Sequence, residues 1–389
     1  MIIEQVKKEL TQHIIPFWGK LEDKENGGFY GFLDYNLGLD QKADKGVILH
    51  SRILWFYSSC YSVLKDNQCL ELATHAYEFI KNYCVDYELG GVYWLVDYKG
   101  KPVDEMKHTY NIAFAIYALS AYYNATGKKE ALGLAEKLFS DIEEKTLDQY
   151  GYMEAFSRDW KLVSNDALSE NGLSADKTMN TILHLIEAYT ELYKANKSEK
   201  VAERLKFQLS QMSDKVYNSK TNALRVFFNT KLEEIGDIHS YGHDIEATWL
   251  MDLACQTLGD KGLIEKFRNM NLYISKNIQN IAVENGAMNN ERENDKIDKK
   301  RVWWVQAEAV VGFINAYENS KDESFLKTAK SIWEYTKENM IDKRDGSEWY
   351  SEVSFEGVPH EWKEIVGPWK CPYHNGRMCL EVIIRGIDF

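Results

Sequence analysis

The sequence predicts an all-α chain folded as an (α/α)6 barrel, with long loops and short β-hairpins on one face. Three observations carry that reading. Helical periodicity runs through most of the 389 residues. Segments that are apolar all round alternate with segments that have one wet face. Landmarks on the apolar segments, at Arg52, Tyr110, Asn180, His243, Trp304 and His374, recur about every 60–70 residues. Six inner helices ringed by six outer ones fit that alternation and period. An open superhelix of helix pairs would give the same pattern, so closure of the ring is the point the structure must decide.

In chain order, the helical segments fall near 2–17, 46–64, 67–83, 106–125, 129–146, 175–195, 198–217, 242–258, 261–282, 302–318, 323–341 and 375–387. The landmarks place the second, fourth, sixth, eighth, tenth and twelfth inside. Thr109 to Ala125 carries no charge, and Trp303 to Tyr317 carries only Glu308; such helices must be covered on every side. The outer kind is clear at Ala131, Leu134, Ala135, Leu138, Phe139 and Ile142, and again at Phe325, Ala329, Ile332 and Trp333, with lysines and Glu334 elsewhere. Glycine turns followed by aromatics come after outer helices at 27–32, 90–94, 150–153 and 346–350, and these read as short hairpins. The charged tract Glu291–Lys300 reads as a solvated loop.

Composition agrees and excludes several function classes. The chain has only five prolines, none between Pro102 and Pro359, so helix breakers are scarce. With 44% hydrophobic residues it can bury a sizeable core. A net charge of −13 excludes a sequence-independent grip on nucleic acid or on an anionic membrane. No run of about 18 apolar residues is present, so no membrane span is expected. The first residues are charged too early for a secretory signal. Cys60, Cys69, Cys84, Cys255, Cys371 and Cys379 include no C-x-x-C pair, and they read as reduced core thiols of a cytoplasmic protein. Residues 1–389 are expected to form a single catalytic domain, working as a monomer.

Polar residues with chemical potential cluster near the starts of the inner helices, where a barrel mouth would be. Asn180 and His184 share one helix face, as do His243 and Glu246, and Trp304 and Glu308. Arg52 sits in an apolar stretch where a bare guanidinium is costly, and His374 opens the last helix. Each has a bland counterpart. His50, His75 and His184 read singly as hydrogen-bonded core residues. Arg52 and Glu308 read as a buried ion pair. Trp303 and Trp304 read as packing, and His13, His239 and His360 as surface or loop residues. Cys371 with His374 and His243 with Glu246 resemble metal half-sites, yet no second ligand set accompanies them, so no metal is expected. The coincidence shifts the balance: every inner helix offers a polar or aromatic group at one level, the profile of a small-molecule site. No phosphate loop, serine elbow or dinucleotide fingerprint is present, which leaves acid–base chemistry. A helix N-terminus keeps His243 and His374 neutral, while Glu246 would pull His243 the other way.

At these residues the sequence resembles the disaccharide-epimerase branch of the N-acylglucosamine 2-epimerase family. The resemblance covers essentially the whole chain and is carried by Lys45–Phe56, Lys177–Asn180 with His184, Ser240–Ala247, Trp303–Glu308 and Trp369–Arg377. It implies an (α/α)6 barrel acting on β-1,4-linked disaccharides with a free reducing end, such as cellobiose and lactose. Reducing-end glucose would become mannose, with no metal, cofactor or nucleotide. By similarity His243 and His374 are the acid–base pair, and Arg52 with His184 steadies a cis-enediolate. Tyr110, Asn180, Glu246, Trp249, Trp304, Glu308 and Trp369 would shape the sugar site. Three rivals stay open at this point: an aldose–ketose isomerase on the same scaffold, an (α/α)6 glycoside hydrolase using Glu246 and Glu308, and a non-catalytic sugar-binding protein.

Overall fold

A computed structural model describes residues 1–165 and 174–389. Among them lie six inner helices, α2 (Val47–Leu64), α4 (Thr109–Thr126), α6 (Met179–Asn196), α8 (Tyr241–Leu258), α10 (Trp303–Ser320) and α12 (Tyr373–Arg385). Each packs on the next, and α12 packs back on α2, so the ring is closed. The barrel is an (α/α)6 barrel. Outside it stand α1 (Ile2–Glu9, running through a π turn at Leu10–Ile14 into Ile15–Gly19), α3 (Asn67–Phe79), α5 (Lys129–Lys145), α7 (Glu199–Gln211), α9 (Lys261–Ile281) and α11 (Glu323–Tyr335). Each inner helix pairs with the outer helix that follows it, except the last, α12, which pairs with α1. The two ends of the chain meet there, and the Ile3 backbone N–H donates to Asp388 Oδ1 at 3.1 Å.

The two faces of the barrel differ because their connections differ. At one face every inner helix ends on a residue in the left-handed region: Lys65, Gly127, Lys197, Gly259, Lys321 and Gly386. That geometry satisfies the last carbonyls and, after each of the first five, turns the chain at once into the next outer helix. At the other face every outer helix leads into a hairpin. The four expected ones are present as the antiparallel bridges Glu22 to Phe29, Val85 to Val92, Leu147 to Tyr152 and Ile341 to Trp349. Two more follow α7 and α9, where Tyr217–Asn218 pairs with Ala223–Leu224 and Val283–Glu284 with Ala287–Met288. They turn on Asn222 and on Asn285–Gly286, at positive φ, with no aromatic run after a glycine to announce them.

A repeated device pins these hairpins to the inner helices. Just before α2, α4 and α6 stand Lys45, Lys107 and Lys177, each buried, and each donates Nζ to a hairpin acid: Asp23 at 2.7 Å, Asp86 at 2.9 Å and Asp148 at 2.6 Å. Lys370 bonds Glu348 before α12, and Arg301 bonds Asn289 before α10. A cation beside a helix N-terminus opposes the helix dipole; the carboxylate within hydrogen-bond reach reverses that penalty and fixes the hairpin's position.

One expectation is corrected outright. The tract Glu291–Lys300 is no free loop. Glu291–Glu293 and Lys296–Asp298 form a hairpin, and its first strand pairs antiparallel with Ile238–Ser240, directly before α8. The resulting flap stands over the mouth of the barrel.

Candidate active site

The inner helices all begin at the hairpin face, and their first turns enclose a cavity of about 310 Å3. Nine of the eleven predicted site residues line it: Arg52, Tyr110, Asn180, His184, His243, Glu246, Trp304, Trp369 and His374. The other two, Trp249 and Glu308, lie beneath its floor. Aromatic residues dominate the depth, whereas Asn290, Glu291, Lys300, Glu352 and Lys363 form a polar rim supplied by the flap and the later loops. At the cavity wall Asn180 Oδ1, Arg52 Nε and Glu246 Oε2 are buried without a hydrogen-bond partner. Buried polar atoms are rarely left so, and their place at a cavity wall suits a hydroxyl-rich ligand.

Three histidines face the cavity with Nδ1 already engaged. His374 Nδ1 lies 2.7 Å from Glu308 Oε1, His184 Nδ1 lies 2.9 Å from Glu187 Oε2, and His243 Nδ1 lies 2.7 Å from Ser240 Oγ. No partner among the described residues meets Nε2 in any of the three. The rings of His243 and His374 both pack on Trp304, at centroid distances of 4.7 and 5.5 Å. All three are held neutral. Burial pushes His243 down to about 3, helped by the charge of Arg52, and burial with Arg377 and Arg52 holds His374 well below its ordinary value. Burial likewise lowers His184, against the pull of Glu187.

Below the histidines lies a buried ionic knot. Arg377, on α12, extends one Nη to Glu187 and the Tyr373 hydroxyl, and the other to Glu246 and to Glu308. Glu308 Oε2 also accepts the Trp249 indole N–H at 3.0 Å. Burial works against the charge of Glu187, but Arg377 holds its pKa down at about 2. Burial and the nearby Glu308 push Glu246 up to about 8. Burial raises Glu308 too. Its oxygens nevertheless receive Arg377 and Trp249, which can only donate, so Glu308 is ionised and His374 donates Nδ1–H to it.

Several expectations change here. Arg52 does not pair with Glu308. Its guanidinium donates to the Tyr110 hydroxyl at 2.9 Å and the Trp369 carbonyl at 3.4 Å, and it lies over the rings of Phe114 and Tyr373. Burial opposes its charge, and Tyr110, Cys371 and Tyr373 more than offset that, keeping it protonated. Glu246 does not pull on His243, because Arg377 engages it. His239 is no surface residue: it is buried and bonds Asp244 at 2.7 Å. Cys371 faces Arg52, 3.9 Å away, so the imagined half-site with His374 does not form. Glu246, Glu308 and His374 do offer ligand atoms within 4.8 Å of one another. The Arg377 guanidinium, bonded to both carboxylates, supplies positive charge at that point.

Glu187 and Arg377 carried no assigned role in the sequence reading. The signal was available, since each stands three residues after a site histidine, the spacing that singled out Glu246 after His243.

Comparison with known proteins bears on the same residues. A family model for N-acylglucosamine 2-epimerase matches residues 27–375. A cellobiose 2-epimerase of Ruminococcus albus is 70% identical over 388 residues, covering 100% of both chains. The solved structure of a sugar epimerase from a ruminal bacterium superposes with a TM-score of 0.99 at 69% identity, again over 100% of both chains. Cellobiose 2-epimerase from Bacillus thermoamylovorans B4167 gives a TM-score of 0.96 at 48% identity over 99% of each chain. A family match that spans the first five inner helices and the start of the sixth, joined to full-length likeness in sequence and fold, means that this chain belongs to the N-acylglucosamine 2-epimerase family.

Proposed function

We propose that the protein interconverts glucose and mannose at the reducing end of β-1,4-linked disaccharides such as cellobiose and lactose. The reaction is proton transfer at C2 through a cis-enediolate, with no metal or cofactor. The observation that carries this reading is the pair His243 and His374, packed on one indole in one cavity, each with Nδ1 tied back and Nε2 left for a ligand.

The chemistry follows from those hydrogen bonds. With Nδ1–H committed to Glu308, His374 presents a lone pair at Nε2 and acts as base in the resting enzyme. It takes the C2 proton of the open-chain aldehyde. The C–H electrons form the C1–C2 double bond, and the C1 oxygen becomes anionic. Arg52 has no carboxylate of its own and meets that oxygen charge, with His184 beside it. After rotation about C2–C3, His243, which takes up a solvent proton in the field of the anionic intermediate, delivers it to the opposite face and returns to its neutral form. Its partner Ser240 is a hydroxyl, able to accept from Nδ1–H or donate to Nδ1, so His243 can serve as acid in one direction and base in the other. Trp304 and Trp369 offer flat apolar faces to the sugar rings.

Two carboxylates of a glycosidase flank the scissile bond at about 5–9 Å separation. Glu246 and Glu308 instead share one Arg377 nitrogen, which disfavours hydrolysis. Residues 1–389 work together as one catalytic domain, as a monomer, in the cytoplasm. In support, the helix pairs share one continuous apolar core, all six cysteines are buried free thiols, and no helix among the described residues is long and apolar enough to cross a membrane.

Incubation with lactose in D2O tests the proposal. Epilactose carrying deuterium at C2 is the expected product. A ketose as the main product would assign the isomerase instead, monosaccharides would assign a hydrolase, and binding without exchange would leave a sugar-binding protein.

A further inference from the structure

A second cavity, of about 140 Å3, lies at the opposite end of the barrel from the sugar site. Trp55, Tyr117 and Trp249 wall it, Lys194 and Glu381 stand toward solvent, and Arg377 reaches it from the inside. Arg377, itself buried, therefore reaches from the wall of the second cavity to the carboxylates behind the sugar site. Its Nη atoms hold the carboxylates behind the sugar site, while its Nε is buried without a partner.

The carboxylates concerned are not equivalent bystanders. Glu187 fixes Nδ1 of His184, and Glu308 fixes Nδ1 of His374. The two histidines lie on different helices, α6 and α12, and one guanidinium joins their partners. A planar fork of five N–H donors can serve several carboxylates at once; a lysine ammonium on the same stem cannot reproduce that geometry.

We infer that Arg377 is the positioning residue that fixes both histidine–carboxylate pairs of the site at once, and that the second cavity is a port able to admit a guanidinium-sized cation to that position. The inference rests on the epimerase reading and adds the residue that sets its protonation pattern. Without the guanidinium, Glu187, Glu246 and Glu308 are left buried together with no countercharge, and like-charge repulsion makes them take up protons. A protonated Glu308 then donates to Nδ1 of His374. The ring tautomer reverses, Nε2 carries hydrogen, and the base is lost until the pH is high enough to ionise the carboxyl again.

The test compares wild type, Arg377→Ala, Arg377→Lys and Glu187→Gln by pH–rate profiles for lactose conversion and by C2 exchange in D2O. Arg377→Ala should lose about 100-fold or more in kcat at neutral pH. Its acidic limb should move up by about one pH unit or more. Addition of guanidinium chloride at about 50 mM, well below denaturing concentrations, should restore at least about tenfold of the rate and return the limb toward its wild-type position. Arg377→Lys should keep the charge yet recover only part of the rate, with a smaller shift of the limb. A folded Arg377→Ala protein whose rate falls with an unmoved limb, or which guanidinium does not rescue, overturns the inference. Should Arg377→Ala fail to fold, Glu187→Gln decides: a kcat and pH profile equal to wild type overturns the inference, and a lowered kcat with KM nearly unchanged supports it. Absence of C2 exchange in the wild type would sink the epimerase reading itself, which is a different result from any of these.

Discussion

His374 on the last inner helix meets Glu308 on the one before it in a hydrogen bond of 2.7 Å, between a ring that lines the cavity and a carboxylate that does not. On the proposed mechanism the division of labour is that of a base and its orienting acid. It gives each residue a distinct kinetic signature.

Glu308→Gln should therefore lower kcat for lactose epimerisation by roughly 10²–10⁴ while KM changes less than about threefold, because the ring loses its orienting charge and not its contact with sugar. Steady-state kinetics at several lactose concentrations separates the two effects. A rise in KM with kcat intact would place Glu308 in direct contact with substrate.

Trp249→Phe removes the indole N–H that donates to Glu308 Oε2 at 3.0 Å. A buried acceptor short of one donor costs about 1–3 kcal/mol. Since Trp249 lies outside the cavity, that loss should appear in kcat and in thermal stability, with KM for lactose unaltered.

Arg52→Met keeps the bulk and removes the cation that no carboxylate neutralises. Loss of one such donor to a developing oxyanion costs about 3–4 kcal/mol, or roughly 10²–10³ in kcat. The variant should still bind disaccharide, and calorimetric titration with a non-reducing analogue checks that.

Acid should destabilise the fold through its buried histidines. His50, His108 and His243 are held down at about 3, 4 and 3, each chiefly by burial. The sign follows directly. These rings stay neutral in the native state while the unfolded chain protonates them near pH 6.5, so the stability present above that pH is lost as pH falls toward the native values. Three such groups give a slope of up to about 4 kcal/mol per pH unit. Urea unfolding between pH 7 and pH 4.5 measures it. His50→Gln should flatten the slope by up to about 1.4 kcal/mol per pH unit, since Gln can still donate to the Gly46 carbonyl and accept from Phe29 N–H, as His50 does at 2.9 Å each.

The flap offers a prediction about access. Arg292 on its first strand pairs with Asp237 at 2.8 Å and 3.1 Å, an exposed pair worth at most about 1 kcal/mol. Arg292→Ala should raise KM a few-fold and leave kcat unchanged. A large drop in kcat would mean that the flap shapes the chemical step.

How much of this could be read in advance depends on the range of the interaction. Helix periodicity is local, and all twelve segments stand where the spacing of apolar residues put them, with starts moved by a few residues where Lys107–His108 and Lys177–Thr178 form strands before α4 and α6. Hairpins with a glycine and an aromatic run were legible; those turning on Asn222 and Asn285 were not. The flap escaped because its charges imitate a solvated loop, and its partner strand, Ile238–Ser240, lies some fifty residues away in the sequence. Arg52 and Glu308 were both rightly placed inside the barrel, but depth decides which cation meets which acid, and depth is not periodic. Arg377, one turn below His374, takes the acids and leaves Arg52 free for the cavity.

The meeting of α1 and α12 has a consequence for biosynthesis. The helix that bears residue 374 is the last of the six inner walls to be synthesised, and it must slot between the earliest and the penultimate members of a half-made ring. Until that insertion the nascent polypeptide holds an open horseshoe with five of its six walls and only one of the two histidines proposed for proton transfer. Turnover is thus withheld until the sixth wall is in place, and a stop codon ahead of residue 374 yields a sugar pocket without that histidine.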